Sequence, residues 1–461
     1  RGQGNTIKAD SAEHYDETNL LYLIGHVHYT EPRIKVDSDH MTYYQLEGRL
    51  ISEGHVFAVM PTGTTMRGPW AEYLRVIPGL RSVSHMTATG RPHLHLAQGD
   101  TTAPPLDTAR ARSDSTSADT AGIDANRIVM EGDSMVYAAG QVIILRSDLK
   151  ATSDSATFDN GTGFARLLRT PLIEGTESRH PFTLRGSVID IYSSNHQLQR
   201  VVAKQNGDAV SQDLHLTSDT IDLRLTDKQL SRAYAWGPAR AHATTPERDI
   251  LADSLDVIMP GQLVREVRAI RKAYATSVPD TIKIKSKDRD WMKGDTILAQ
   301  FDSTSNSARA SSGTQSAAAP HTSNRGGRGG SAADSSAVAQ RQQSAPPAPR
   351  DTSAEPAIKT LTAFTDARAL YQLPPKDRHS TKPALNYVRG RVITIDFENR
   401  QVHTVTVLDS AAGLYLEPAT DSAAADSARA ARKAAGDSAR AAKRRAKARK
   451  KGAPAPAPAS T

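Results

Sequence analysis

Apolar and polar positions alternate with a period of two in the first part of the chain, and this alternation predicts β-strands. Between Leu21 and Tyr29 the odd positions are apolar or glycine, and Leu50, Gly54 and Val56 repeat that phase. A glycine at the same point of each strand permits a bulge or a close backbone approach. The polar run 16–19 predicts a turn.

The same stretch contains an internal repeat. Seven residues return 29 positions later without an insertion: Ile7, Asp10, Tyr15, Leu21, Gly25, His26 and Val27 recur as Val36, Asp39, Tyr44, Leu50, Gly54, His55 and Val56. A unit of this length cannot bury its own apolar face. The units are therefore expected to stack and share one continuous core.

A second recurring pattern is a small residue, then Asp, then Ser or Thr. It occurs as Ala9-Asp10-Ser11, Gly132-Asp133-Ser134, Ser153-Asp154-Ser155, Ser218-Asp219-Thr220, Ala252-Asp253-Ser254 and Gly294-Asp295-Thr296. Within 214–225 the apolar set moves from even to odd positions at this motif, and a strand changes phase only at a bulge or bend. The motif therefore predicts a strand corner, where Asp and Ser side chains bond backbone groups freed by the bend. A second register, in which apolar residues flank Asp190, Asp222 and Asp256, supports the repetition.

Composition divides the chain into six segments. Residues 1–96 and 123–302 carry the strand repeats, and 97–122 is expected to be a flexible insertion. Residues 303–357, rich in Ser, Ala, Gly and Pro, are expected to be a disordered linker. A terminal β segment is predicted at 358–417, followed at 418–461 by a basic, Ala-rich and partly helical tail.

Charge and cysteine content exclude several classes of function. The tail holds a local charge of +10 between 429 and 451, so about −2 of the net +8 remains for the rest of the chain. The predicted folded part therefore lacks the charge of a nucleic-acid-binding protein. With no cysteine there is no disulfide, thiolate zinc site or cysteine nucleophile, a composition that suits the periplasm. Residue 1 is Arg, so we expect a processed form or a fragment, with any secretory signal upstream.

Histidine and aspartate are the candidate chemical groups. His26, His28, His55, His93 and His95 suggest a metal site, but no Glu-x-x-His or thiolate spacing accompanies them, and a solvated strand face is the preferred interpretation. The aspartates recur once per repeat, whereas an active site is normally one place. No nucleophile elbow, P-loop or dinucleotide motif is present. We therefore expect no enzyme, no metal site and no cofactor.

The first unit resembles the repeat of the OstA/LptA family of lipopolysaccharide-transport proteins. The resemblance lies in Ile7-x-Ala9-Asp10-Ser11, a turn, and then Leu21-x-x-x-Gly25-x-Val27. It is strongest over 7–80, weaker over 128–302 and weakest over 358–417. It implies an all-β, repeat-built twisted β-jellyroll, partly open, whose apolar interior receives the acyl chains of lipid A. The long insertions and the basic tail depart from a minimal transport module.

The resemblance implies that the chain binds lipopolysaccharide or a related glycolipid in the periplasm and carries it toward the outer membrane. Open edge strands would pair with Lpt-type modules or with other copies of the chain, and the tail would contact an anionic surface or only aid solubility. Two further alternatives are a structural or adhesive envelope β-solenoid without lipid, and a polysaccharide-acting β-helix enzyme with a cluster of carboxylates or Arg on one face. The residues that would line a lipid groove, or otherwise fill an ordinary β core, are Leu21, Leu23, Val27, Leu50 and Val56.

Overall fold

The protein is all-β. The computed structural model describes residues 4–97, 120–175, 181–194, 197–211, 214–279, 284, 286–301, 358–375, 382–398 and 401–418, with four residues of the tail, 433, 434, 438 and 440. In this part of the chain 26 antiparallel strands form one sheet: β1 Thr6–Lys8, β2 Ser11–Tyr15, β3 Leu20–Glu31, β4 Ile34–Tyr44, β5 Arg49–Val59, β6 Thr65–Leu74, β7 His85–Thr89, β8 His93–Ala97, β9 Thr120–Asp124, β10 Arg127–Glu131, β11 Met135–Leu145, β12 Leu149–Asp159, β13 Phe164–Leu168, β14 Leu172–Gly175, β15 Phe182–Arg185, β16 Val188–Ser194, β17 Gln197–Ser211, β18 Leu214–Thr226, β19 Gln229–Thr244, β20 Arg248–Ile258, β21 Glu266–Ser277, β22 Asp290–Phe301, β23 Ile358–Leu373, β24 Ala384–Glu398, β25 Gln401–Leu408 and β26 Ala412–Leu416.

Consecutive segments of the chain pair as neighbours along the whole sheet. Each crossing of the sheet, here called a rung, is either one long strand or two short strands separated by a break. The pairs β1/β2, β7/β8, β9/β10, β13/β14, β15/β16 and β25/β26 form the broken rungs, because both members of each pair bond to the same neighbouring rung. Short connections separate most of the rungs, and the longer segments 98–119 and 302–357 lie between β8 and β9 and between β22 and β23.

A corner interrupts the middle of most rungs. On alternate rungs two consecutive residues at the corner have positive φ, as in Gly25 (78°) and His26 (42°), and the pairing register shifts at the same point. Equivalent left-handed pairs occur on alternate rungs at 54–55, 90–91, 140–141, 169–170, 205–206, 271–272, 365–366 and 409–410. The bulge predicted from the two glycines is therefore confirmed at Gly25 and Gly54.

The facing rung is held to the corner by its backbone. Asp10 N–H donates to the carbonyl of Gly25 (2.9 Å), and the same bond joins the facing residue to the first left-handed residue in four later pairs: Asn126 to Gly140 (2.8 Å), Asp154 to Arg169 (3.3 Å), Ser187 to Gln205 (3.0 Å) and Arg391 to Asp409 (2.9 Å). Five of the six small-Asp-Ser/Thr motifs lie at such corners, as predicted. The prediction is wrong for Gly132-Asp133-Ser134, which forms the turn between β10 and β11.

The apolar positions of successive rungs form one continuous hydrophobic core. Along β3 the inward side chains are Leu23, Val27 and Tyr29, and after the shift at the corner the phase matches that of β4, with Val36 and Met41. The core extends without interruption to Ile395 on β24. The alternation read from the sequence at 21–29 thus gives the correct buried face on both sides of the corner in β3.

The strands extend into both ends of the first predicted insertion. Strand β8 reaches Ala97 and β9 starts at Thr120, so the ends of the predicted insertion 97–122 belong to the sheet. Most of that insertion, the linker 303–357 and most of the tail lie outside the described residues; Lys433, Ala434, Ser438 and Arg440 are helical. A single 3-10 turn covers Pro260–Gln262. Among the described residues, no helix is long and apolar enough to cross a membrane.

Candidate functional site

The corners fold the sheet so that the two ends of its rungs approach each other. One layer contains segments such as 20–24, 40–44 and 70–74, and the other contains 27–31, 34–38 and 56–59. The Tyr73 hydroxyl donates to Glu31 Oε1 at 2.6 Å, although β3 and β6 are not neighbours in the sheet. The core lies between the layers. The open side, where the ends of the rungs meet, is called the mouth below.

The five predicted groove residues join one core. Leu23, Val27, Leu50 and Val56 are at most 2% exposed, and Leu21 is half-buried against the same cluster at the mouth end of β3. The structure therefore brings the five side chains together on the inner face. It places four of them deep in packing contact, and only Leu21 near the mouth.

A polar cluster closes the mouth near the N-terminal end of the sheet. Glu31 is buried, and its carboxylate accepts hydrogen bonds from Tyr29 (2.9 Å) and Tyr73 (2.6 Å). Arg75 lies 3.9 Å from the same carboxylate and donates to the Tyr43 hydroxyl at 3.2 Å. Burial is the main cause that raises the pKa of both Tyr29 and Tyr73, so these hydroxyls remain donors at neutral pH. This Glu31 cluster joins the two layers.

A second polar bridge crosses the mouth further along the sheet. Arg146, in the turn after β11, donates to Ser193 Oγ at 3.0 Å on β16 in the other layer. The same guanidinium holds the buried Asp148 through two hydrogen bonds of 3.0 and 3.2 Å. Rungs from β1 to β16, the early region, thus have charged contacts across the mouth at two places.

Rungs from β17 to β26, the late region, present apolar side chains at the mouth. These residues are partly buried and pack against the core without being covered by it. They include Leu214, Leu225, Ile250, Val264, Phe301, Leu361, Leu373, Phe397 and Val402. Since apolar surface left in water costs free energy, a row of this kind is the part of the interior best suited to receive an apolar chain.

The late region also has smaller side chains inside. In one of the two layers of β19 to β23, alanine fills most inward positions. Examples are Ala241, Ala252, Ala273 and Ala367, each at most 2% exposed. The corresponding layer of β3 to β6 contains Val27, Tyr29, Ile34 and Met66. Small side chains make fewer dispersion contacts across the layers, so separating the layers costs less in the late region.

The core side chains of the described residues pack closely. A cavity of about 10 Å³ lies at the mouth of the early region, beside Arg33, Tyr73, Ser84 and Met130, and has room for about one water. Sites for drug-sized ligands measure about 300–1,000 Å³. An acyl chain would therefore enter only if the layers moved apart.

Buried carboxylates lie on the outer face of the sheet. Asp190 is 0% exposed and accepts two bonds from Arg166 (2.7 and 2.9 Å) and one from Lys204 (2.8 Å). Burial alone would raise its pKa, but the bonds from Arg166 and Lys204 outweigh it and lower the pKa overall. Asp222 pairs with Arg200 and Asp256 with Arg232 in the same way. This is a cluster of carboxylates and Arg on one face, yet each carboxylate is neutralised by a cation and fits a structural role.

The histidines pair with aspartates. His26 Nδ1 lies 2.7 Å from Asp10 Oδ2, and His55 repeats this contact with Asp39 at 2.7 Å. Both rings are at least 87% exposed, and they belong to corners rather than to the regular strand face that their spacing suggested. The hydrogen bond that the His26 ring donates to the Asp10 carboxylate raises the pKa of His26. Among the described residues no three His, Cys, Asp or Glu side chains are grouped as metal ligands.

The sequence alone predicted neither the Glu31 cluster nor the row of apolar residues at the late mouth. The residues of the Glu31 cluster come from β3, β4 and the end of β6, so only the fold joins them. The Ile-Asp-Ile pattern around Asp190 signalled a polar residue between core positions, but its Arg partner lies on another strand.

No protein-family model matches the chain, and comparison with curated proteins gave no significant match.

Proposed function

We propose that the protein binds the acyl chains of lipopolysaccharide or a related envelope glycolipid between the two layers of the late region, and passes the lipid toward the outer membrane from a periplasmic location. The row of partly exposed apolar residues at the late mouth supports this proposal most directly. The folded sheet, with its corners repeated on alternate rungs, fits a twisted β-jellyroll built from repeats. Transfer would depend on differential affinity along similar sites rather than on catalysis.

The proposed lipid site lies in a different region of the sheet from most of the groove residues expected from the sequence. Leu23, Val27, Leu50 and Val56 lie in the region whose mouth is bridged by the Glu31 cluster, while Leu225 and Leu361 lie where no such cluster is seen among the described residues. Leu21, half-buried at the mouth, is the groove candidate of the early region best placed for contact with lipid.

Pairing at the sheet edges supports a chain of modules. The residues of β2 and β26 are all exposed, and among the described residues each of these edge strands pairs with a strand on one side, β3 and β24 respectively. The last rung has a left-handed corner at Asp409 and Ser410, whereas the first rung faces such a corner with Asp10. The first rung of a second copy would therefore continue the alternation at the C-terminal edge.

An envelope β-solenoid without lipid is the second candidate, and the closed interior favours it. The basic tail suits contact with an anionic surface, since a cluster of Lys and Arg side chains is attracted to negative charge. The third alternative, a polysaccharide-acting enzyme, would need free carboxylates, and the buried ones described above are paired with cations.

Photocrosslinking in cells separates the two candidates. A photoreactive residue at Leu225 or Leu361 is expected to crosslink acylated glycolipid, detected by mass spectrometry of the protein purified from a Gram-negative host. The same residue at Leu46, 74% exposed in an early turn, is the matched control and should give no lipid adduct. A lack of lipid adducts at the late mouth, together with protein that purifies free of glycolipid, would contradict lipid binding and leave the solenoid.

A further inference from the structure

Three cations stand side by side on the outer face of the late region. Lys293 on β22 pairs directly with Arg368 on β23, and Arg368 pairs directly with Arg389 on β24. Like charges directly opposite each other on neighbouring strands destabilise a sheet. Such a row of cations offers favourable contacts to an anion.

Nearby acids compensate this charge only in part. Asp366, 77% exposed, accepts two bonds from Arg368 Nη2 (3.1 and 3.2 Å), while Arg368 Nε is buried without a partner. Lys293 and Arg389 form no ion pair with another described residue. Both of these side chains belong to exposed residues.

The same row of the sheet also carries acids in the early region. There His28 lies 2.7 Å from Asp37, and His93 lies 3.0 Å from Asp124 on the adjacent strand. Each of these histidines has an acid beside it, although Arg67 also stands directly opposite His93. Lys293 and Arg389 have no such acid among the described residues.

Aromatic rings lie next to the cations on the same face. Trp291 is 6.3 Å from Tyr274 and 6.2 Å from Tyr387 between ring centroids, and Lys293 Nζ lies 6.0 Å from the Trp291 ring. Tyr274 is 38% exposed. Aromatic faces stack on the apolar faces of ring-shaped ligands, and Arg guanidinium groups bind phosphate in a planar, two-bond geometry.

We propose that Tyr274, Trp291, Lys293, Arg368, Tyr387 and Arg389, the outer platform, bind a phosphorylated saccharide. The identity of this ligand rests on the proposed function, because the headgroup of such a glycolipid combines sugar rings with phosphate. A long polyanion such as nucleic acid fits less well, since the chain outside its tail carries about −2 and gives no long-range attraction. The platform instead suits a short ligand with local charge.

The test uses a soluble probe without acyl chains. Fully deacylated, phosphorylated core oligosaccharide is titrated into the full chain, and binding is followed by calorimetry and by tryptophan fluorescence. The variant Lys293→Gln/Arg389→Gln should bind at least tenfold more weakly, since a single charge-assisted bond contributes about that factor. Its melting temperature should rise, because two repulsive contacts are removed. The control is Arg67→Gln, which removes a cation 5.0 Å from the Phe57 ring in the early part of the same row.

The outcomes are distinct from those of the lipid test. Equal binding by the wild type and the double variant, or equal binding of dephosphorylated saccharide, would overturn the proposal. Tighter binding of a single-stranded oligonucleotide would also overturn it in favour of a nucleic-acid surface. Lipid adducts at Leu225 that persist while the oligosaccharide fails to bind would reject the platform and leave the proposed function intact.

Discussion

The early and late regions of the sheet share one backbone plan but close their mouths differently. In the early region buried charge bridges the layers, through Glu31 and Arg146. In the late region apolar residues such as Leu225 and Leu361 remain partly in water, and the interior behind them is rich in alanine. A single backbone plan thus allows a mouth bridged by charged groups at one end of the sheet and a mouth lined by apolar side chains at the other.

Removing a hydroxyl from the early cluster should have the largest effect. Tyr73→Phe takes one of two tyrosine donors from the buried Glu31 carboxylate, and we expect a loss of about 2–3 kcal/mol, typical of hydrogen bonds to charged groups. The matched variant in the late region is Tyr371→Phe, since Tyr371 is equally buried but bonded to the neutral Asn386, with an expected loss of about 1 kcal/mol.

Hydrogen exchange is the appropriate measurement, because a long stacked sheet need not unfold in a single step. The Tyr73 variant should speed exchange of amides in β3 and β6, and the Tyr371 variant should act on β23 and β24. Equal losses at the two sites would show that the early mouth is held no more firmly than the late core.

The corners offer a second contrast. A Cβ on Gly25 would lie 2.4 Å from Asp10 Oδ2, at φ of +78°, so Gly25→Ala should cost about 2 kcal/mol from left-handed strain and crowding together. At the equivalent late corner Thr365 already has φ of 62°, which a β-branched residue adopts poorly. Thr365→Gly should therefore stabilise the late region by about 1 kcal/mol.

Chemical denaturation measures the free energy of unfolding of both corner variants, and amide hydrogen exchange then shows which strands are affected. Gly54→Ala, with the same 2.4 Å approach to Asp39, is an internal replicate and should match Gly25→Ala. A Thr365→Gly variant that loses stability would mean that its side chain contributes contacts that outweigh the backbone strain.

Much of this plan was predictable from the sequence. Alternation with a period of two predicted the strands, and the phase change near Asp219 predicted a corner. The 29-residue spacing predicted the equivalence of Gly25 and Gly54. These are local signals. Left-handed corners without glycine, as at Thr365, carry no comparable signal and arise because the neighbouring rungs fix the backbone.

The candidate site was harder to predict, because it depends on contacts that are distant in sequence. The Glu31 cluster joins residues 42 positions apart across the mouth. The outer platform needs the pairing of Lys293 with Arg368, which the linker 303–357 separates in the chain. Which apolar residues stay partly exposed is decided by how the two layers meet, and the alternation along one strand does not contain that information.

Acid titration tests a third contrast between the two regions, at the carboxylates near the mouth. Asp290 begins β22 at the late mouth, where burial raises its pKa to about 6, although Gln372 donates to the carboxylate through N (3.0 Å) and Nε2 (3.2 Å). No cation pairs with it among the described residues, unlike Asp148 beside Arg146 in the early region. A raised folded pKa means that Asp290 supports the fold fully below about pH 4 and loses that contribution as the pH rises through about 6.

Asp290→Asn keeps the shape of the side chain and removes the charge. A shift of this size corresponds to at most about 3 kcal/mol, and partial exposure reduces the expected gain at pH 7 to about 1–2 kcal/mol. The variant and the wild type should be equally stable near pH 4 and diverge toward pH 7, measured by exchange of the β22 and β23 amides. Parallel curves across this range would show that Asp290 is well solvated, in which case the late mouth is more open to water than its packing indicates.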